Sequence, residues 1–287
     1  MSDDTIPITR PNTIVGGPAI ARGPSISQPV PVAKPANSYP TETIDLPSEG
    51  YFYPEGHPLS QGTIELKMMT AKEEDILTNQ NLIRKGIVLD KLMESLIVTS
   101  VRIDDILVGD KNAIFFAARR LAYGDTYGPV KATCPKCQTE CEKSIDLSLM
   151  KVKPMDFSKY EKGINEFEFV LPYTKKTIKY KLLTHKDETA IDAEIKSVSK
   201  INKNSTEVTT RLRTMITSID GNTDRTTIQK FVTQEMPSRD SLAFRTHVKE
   251  NTPDLDMNFD FTCDECGHDE RMAVPMTAQF FWPDAGR

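Results

Sequence analysis

Cys134-Pro135-Lys136-Cys137 and Cys263-Asp264-Glu265-Cys266 decide how this chain is read. Each has the Cys-x-x-Cys spacing that lets two thiolates grip one tetrahedral metal ion from a tight turn. Two such turns complete a four-cysteine zinc site. Whatever lies between Cys137 and Cys263 must then fold so that its ends return to one point. Closing a flexible loop of about 125 residues costs about 4 kcal/mol plus a constant. Metal binding contributes about 10–16 kcal/mol in zinc-finger peptides at neutral pH, enough to pin the closure. Four thiolates also fill the coordination shell, which makes the predicted site a structural clasp and not a reaction centre.

Other uses of the cysteines fit less well. Disulfides belong to oxidising compartments, whereas five cysteines, an opening Met1-Ser2-Asp3-Asp4 and no secretory signal point to a reducing one. A thioredoxin-like redox pair needs one Cys-x-x-Cys, not two. Cys141 is left over and reads as a small apolar filler or spare thiol. His268 follows the second pair and is a substitute ligand only if one thiolate is missing. Gly267 suits the second turn, because a residue without Cβ lets backbone N–H groups face the sulfurs. The first turn carries Gln138 at the matching position.

At 287 residues the chain is long enough for one sizeable core or two small ones. Its net charge of −5, with both signs interspersed, argues against a basic nucleic-acid binder. The most apolar stretch, around Ala113-Ile114-Phe115-Phe116-Ala117-Ala118, is far short of a membrane span. A soluble intracellular protein is the expectation.

Residues 1–44 read as a Pro-rich arm, disordered or extended, with eight prolines and Tyr39 as the sole aromatic. Residues 45–130 read as a mainly helical domain. A strand over Thr63 to Met69 precedes the capping box Thr70-Ala71-Lys72-Glu73. A helical stretch from Ile87 to Val101 follows, then a helix from Lys111 to Tyr123 capped by Asp110. Residues 131–287 read as a zinc-ribbon domain with an insertion at about 151–257. The insertion holds a hairpin over Glu166–Leu171 and Thr177–Leu183, then helices at about His185–Ser197, Glu207–Ile219, Arg225–Gln234 and Pro237–Glu250. The fold class is therefore α+β: a helical N-terminal half plus a split four-cysteine zinc ribbon with a hairpin-and-helices insertion.

Catalytic signatures do not emerge. Walker-type and dinucleotide glycine loops, Gly-x-Ser-x-Gly and His-Glu-x-x-His are missing from the sequence. The zinc-deaminase order of His-x-Glu before Pro-Cys-x-x-Cys is reversed, since His268-Asp269-Glu270 comes after the last cysteine. His185-Lys186-Asp187-Glu188 marks a helix start, where acids favour the dipole. The expectation is a non-enzyme without a small-molecule substrate. Near the C-terminus, Phe280-Phe281-Trp282 either packs under the ribbon or anchors a partner, as large aromatics do at interfaces.

Three runs carry a resemblance: Leu46-Pro47-Ser48-Glu49-Gly50-Tyr51-Phe52-Tyr53, Met68-Met69-Thr70-Ala71-Lys72-Glu73-Glu74-Asp75-Ile76-Leu77, and Tyr123-Gly124-Asp125-Thr126-Tyr127-Gly128 before the first cysteine pair. In that order the chain, from about residue 45 to its C-terminus, resembles the baseplate hub subunits of T-even-type contractile-tailed bacteriophages. The resemblance implies a structural or assembly role in the virion tail baseplate, with other phage tail and baseplate proteins as partners and assembly in the host cytoplasm. It brings no catalytic residues. A zinc-ribbon adaptor in transcription or nucleic-acid machinery is the alternative from a different class, and it predicts a clustered basic face.

Overall fold

The computed structural model describes residues 40–199, 206–275 and 278–281, so most of the Pro-rich arm and Trp282 lie outside the described residues. Order starts earlier than residue 45. Thr41–Asp45 (β1) pairs antiparallel with Thr63–Lys67 (β2), from Thr41 opposite Lys67 to Asp45 opposite Thr63. The β-branched Thr41, Thr43 and Ile44 suit a pleated, half-buried surface, and a strand partner outweighs the polar character that reads as tail.

Helix α1 (Ala71–Thr78) begins as the capping box predicts. The Glu73 carboxylate reaches back to the Thr70 N–H at 2.9 Å and to its hydroxyl at 2.6 Å. That carboxylate is fully buried and also accepts from Lys67 Nζ and Ser95 Oγ. Burial alone would raise the pKa of Glu73, but these bonds outweigh it and hold the group at about 2. Next come α2 (Gln80–Lys85), capped by Asn79 and closed by Gly86, and α3 (Val88–Leu96). The expected continuation to Val101 fails at Ile97, which turns extended and bridges Leu66.

Helix α4 (Val108–Tyr123) has Leu107, and not Asp110, at its N-cap. Asp110 is instead sealed in the first turn, accepting from Ser48 N–H at 2.9 Å, Ser48 Oγ at 2.7 Å and Tyr53 Oη at 2.7 Å. The Tyr53 oxygen accepts in turn from the Leu107 N–H at 2.9 Å. Burial pushes the Asp110 carboxyl above its ordinary range against these bonds. The network ties residues 48–53 to the start of α4, and a buried carboxylate needs every one of those partners.

Beyond α4 lie β3 (Thr126–Thr133), β4 (Glu140–Asp146) and β5 (Lys151–Val152). Hairpin strands β6 (Phe167–Val170) and β7 (Thr177–Tyr180) follow, then α5 (His185–Ser199) and α6 (Glu207–Met215). The helix expected to reach Ile219 stops at Met215. Ile216–Ile219 (β8) joins β6 and β7 as the third strand, because the β-branched Ile216, Thr217 and Ile219 gain more from the sheet than from another helical turn. Then come α7 (Arg225–Lys230), which runs on into a π-helical turn over Phe231–Glu235, and α8 (Ser238–Glu250). Strands β9 (Leu255–Asp256), β10 (Asn258–Thr262) and β11 (Asp269–Ala273) precede the short α9 (Ala278–Phe281). Helix and strand are mixed throughout, consistent with α+β, and no described helix is long and apolar enough to cross a membrane.

One cluster of buried side chains runs from Leu46 to Phe281 and joins α4, strands β3 and β4, the β6–β8 sheet and helices α6, α7 and α8 of the insertion. The separation expected at residue 130 falls inside β3 and is no break in packing. Helix α4 explains this, because Ala113, Ile114, Phe115, Phe116 and Ala118 bury almost its whole surround. At its start the backbone of residues 253–254 presses against Gly109, where an added Cβ would meet the Pro253 oxygen at 1.9 Å. Phe280 and Phe281 enter the same core, edge-on and stacked against Phe115, Phe116 and Tyr127. Of the two uses the sequence leaves open for them, packing and anchoring a partner, the fold shows the packing: both rings are buried in the chain's own core.

Candidate metal centre

Two hairpins build the site. In the first, β3 and β4 pair from Thr126 opposite Asp146 to Thr133 opposite Glu140, and Cys134–Cys137 occupies the turn. In the second, β10 and β11 pair from Asn258 opposite Ala273 to Thr262 opposite Asp269, and Cys263–Cys266 occupies the turn. The turns match bond for bond. Cys134 N–H donates to Thr139 O at 2.9 Å and Cys263 N–H to His268 O at 2.9 Å. Gln138 N–H donates to Cys134 O at 2.9 Å, and Gly267 N–H to Cys263 O at 3.0 Å. Both residues after the second cysteine are left-handed, Gln138 at φ 60° and Gly267 at φ 64°. Glycine adopts that conformation freely, whereas Gln138 does so at a steric cost and adds a bond from its Nε2 to Pro135 O at 3.0 Å.

The four Sγ atoms of Cys134, Cys137, Cys263 and Cys266 lie within 4.8 Å of one another. Cys134 and Cys266 are 3.7 Å apart, and Cys137 and Cys263 are 3.6 Å apart. A tetrahedron of sulfurs about 2.3 Å from a zinc ion has edges of about 3.8 Å. The cage therefore has the dimensions of a metal shell, and these four residues are the group among the described residues that could hold an ion. Cys141, the spare thiol, is buried 3.9 Å from Cys263 and belongs to a small core of Ala132, Cys134, Phe261 and Cys263. His268 turns its ring to Glu270 at 3.5 Å.

Burial divides each pair. Cys134 and Cys263 are 0% and 2% exposed, while Cys137 and Cys266 face solvent. Electrostatics divides them too. Cys137 Sγ lies 3.3 Å from Thr139 Oγ1, and that contact chiefly lowers its thiol to about 6. Cys266 is raised to about 12: the backbone bond at His268 works downward, but partial desolvation of its sulfur and the sulfurs of Cys137, Cys263 and Cys134 prevail. Four thiolates at this range repel one another unless a cation sits among them.

The ribbon's return does not rest on sulfur alone. At the neck of the insertion β5 pairs antiparallel with β9, Lys151 opposite Asp256 and Val152 opposite Leu255. Lys153 N–H extends the ladder to Asp254 O at 2.9 Å, and Asn112 holds the Asp254 carboxylate at 3.2 Å. Lys143 of β4 forms an ion pair with Asp264 inside the second turn, joining the hairpins a second time. Two-residue strands leave too little pattern for sequence reasoning to find; the paired neck became visible only in the fold.

Comparison with curated proteins and with solved structures finds no significant match. A family described as T4 bacteriophage base plate protein matches residues 41–282. That span takes in both hairpins, the whole insertion and the strand β1 at which the described fold begins. The chain belongs to the T4 bacteriophage base plate protein family.

Proposed function

We propose that this chain is a structural component of the baseplate hub of a contractile phage tail, and that a zinc ion held by Cys134, Cys137, Cys263 and Cys266 clasps its fold. Membership of the base plate family supports the baseplate part of the reading. The observation that carries the clasp is the convergence of four sulfurs from two hairpins far apart in sequence. Thiolate donors select soft ions such as zinc, and two Cys-x-x-Cys turns form a closed structural shell. With its four positions filled, a bound zinc ion supplies folding energy and holds the ribbon shut. Protein–protein binding to other tail and baseplate proteins is then the activity, without a catalytic centre, and the place of action is the virion. The transcription-adaptor alternative draws no support from the family match, and the acidic net charge speaks against it.

Quantitative mass spectrometry of purified source virions tests the placement. The expected result is a small, fixed number of copies per tail, together with other baseplate proteins. Absence from virions and from tail-assembly intermediates would refute it.

A further inference from the structure

Two short sulfur contacts in the cage run between the turns. The short contacts are Cys134 to Cys266 at 3.7 Å and Cys137 to Cys263 at 3.6 Å, each crossing from one hairpin to the other. Each of these two pairs combines one buried thiol with one exposed thiol: buried Cys134 with exposed Cys266, and buried Cys263 with exposed Cys137. An exposed cysteine meets oxidant first, and a buried neighbour within contact range resolves it.

We infer that the cage is an oxidation site which closes by cross-hairpin disulfides, Cys134–Cys266 and Cys137–Cys263, so that the clasp stays shut when its metal is lost. The oxidant is a hydroperoxide such as hydrogen peroxide. The exposed cysteine sulfur attacks one peroxide oxygen, the O–O bond breaks, and the thiol proton leaves with the departing hydroxide as water, so that a sulfenic acid remains. The buried thiolate across the cage attacks that sulfur, forming the S–S bond and expelling hydroxide. Each disulfide thus takes two electrons from the thiol pair and gives them to one peroxide. Loss of the thiolates removes the negative charge that would hold a cation. The two hairpins then remain joined covalently around the stretch from β5 to β9. Cys141 takes no part, because its sulfur faces Cys263 from within the small core formed by Ala132 and Phe261.

The inference rests on the proposed metal clasp in a virion protein, which leaves a reducing cytoplasm for an oxidising exterior where disulfides persist. Its chemistry is testable apart from that reading. Metal content of the purified full chain is measured first, which judges zinc by itself. The reduced chain, with metal and after chelation, is then treated with hydrogen peroxide, alkylated without reduction, digested and mapped by mass spectrometry. The expected map contains Cys134–Cys266 and Cys137–Cys263, with Cys141 alkylated as a free thiol. In Cys137→Ser the second link disappears while Cys134–Cys266 persists, and in Cys141→Ser the map is unchanged. Links within one turn, Cys134–Cys137 or Cys263–Cys266, would overturn the inference. So would a link to Cys141, or oxidation that stops at sulfinic or sulfonic acids.

Discussion

The two hairpins of the ribbon share a turn but not a foundation. Strands β3 and β4 have eight and seven residues, and Tyr127, Val130 and Ile145 plant them in the main core. Strands β10 and β11 have five residues each and are mostly exposed along β11; the buried ring of β10, Phe261, belongs to the small core around the cysteines. Leu255 and Val274 are buried at the base of this second hairpin, and half-buried Met257 and Phe259 pack against the main core beside them. Equal turn chemistry therefore sits on unequal packing. The first hairpin is held mainly by burial, and the second, with fewer buried side chains, leans more on whatever the four sulfurs hold.

The largest effect that would break this contrast is loss of a ligand. Cys263→Ser, or chelation of the metal, should cost several kcal/mol, bounded by the roughly 10 kcal/mol or more that structural zinc supplies in peptides. Hydrogen exchange should show the loss at β10 and β11, with amides near Tyr127 and Ile145 still protected. Equal loss in both hairpins would mean that packing does not distinguish them.

Phe261→Ala comes next. Removing a ring that is 1% exposed should cost about 3–5 kcal/mol, read by chemical denaturation, and should lower metal affinity because the sulfurs lose their support.

Acid separates the ribbon from the helical body in another way. Glu73 has its pKa lowered from 4.5 to about 2 in the fold. Its contribution is fully present above pH 4.5 and is lost as pH falls toward 2, because the unfolded chain binds the proton first. Linkage puts this contribution at about 3 kcal/mol. Glu73→Gln should flatten the stability profile of the full chain over that window and leave metal content at neutral pH untouched.

The smallest change equalises the turns. Gln138→Gly relieves a left-handed residue but frees the unfolded chain and removes the bond to Pro135, for a net change within about 1 kcal/mol. Denaturation midpoints of the two proteins measure it. A loss well beyond that would give the Gln138 side chain a role in the cage that Gly267 lacks.

What could be read from the sequence follows from how local each signal is. The cage was legible because Cys-x-x-Cys has few competing uses. The capping box at Thr70 and Glu73 and the hairpin through β6 and β7 were legible because their patterns complete themselves within a few residues. Strand β8 was missed: Ile216 to Ile219 directly continues a helical run, and only pairing with β7 makes it a strand. Asp110 read as a helix cap because acids favour that place; its burial depends on Ser48 and Tyr53, some sixty residues earlier. The aromatics Phe280 and Phe281 posed the same problem, since an anchor for a partner and a core plug have the same composition. Their burial against Phe115 and Tyr127 was decided by α4.

The central claim is that one ion, held by four thiolates, binds the weakly packed second hairpin to the first. Native mass spectrometry of the full chain, paired with elemental analysis, tests it most directly. The account predicts one zinc per chain, lost together with amide protection in β10 and β11 on chelation. A metal-free chain with both hairpins equally protected would contradict it.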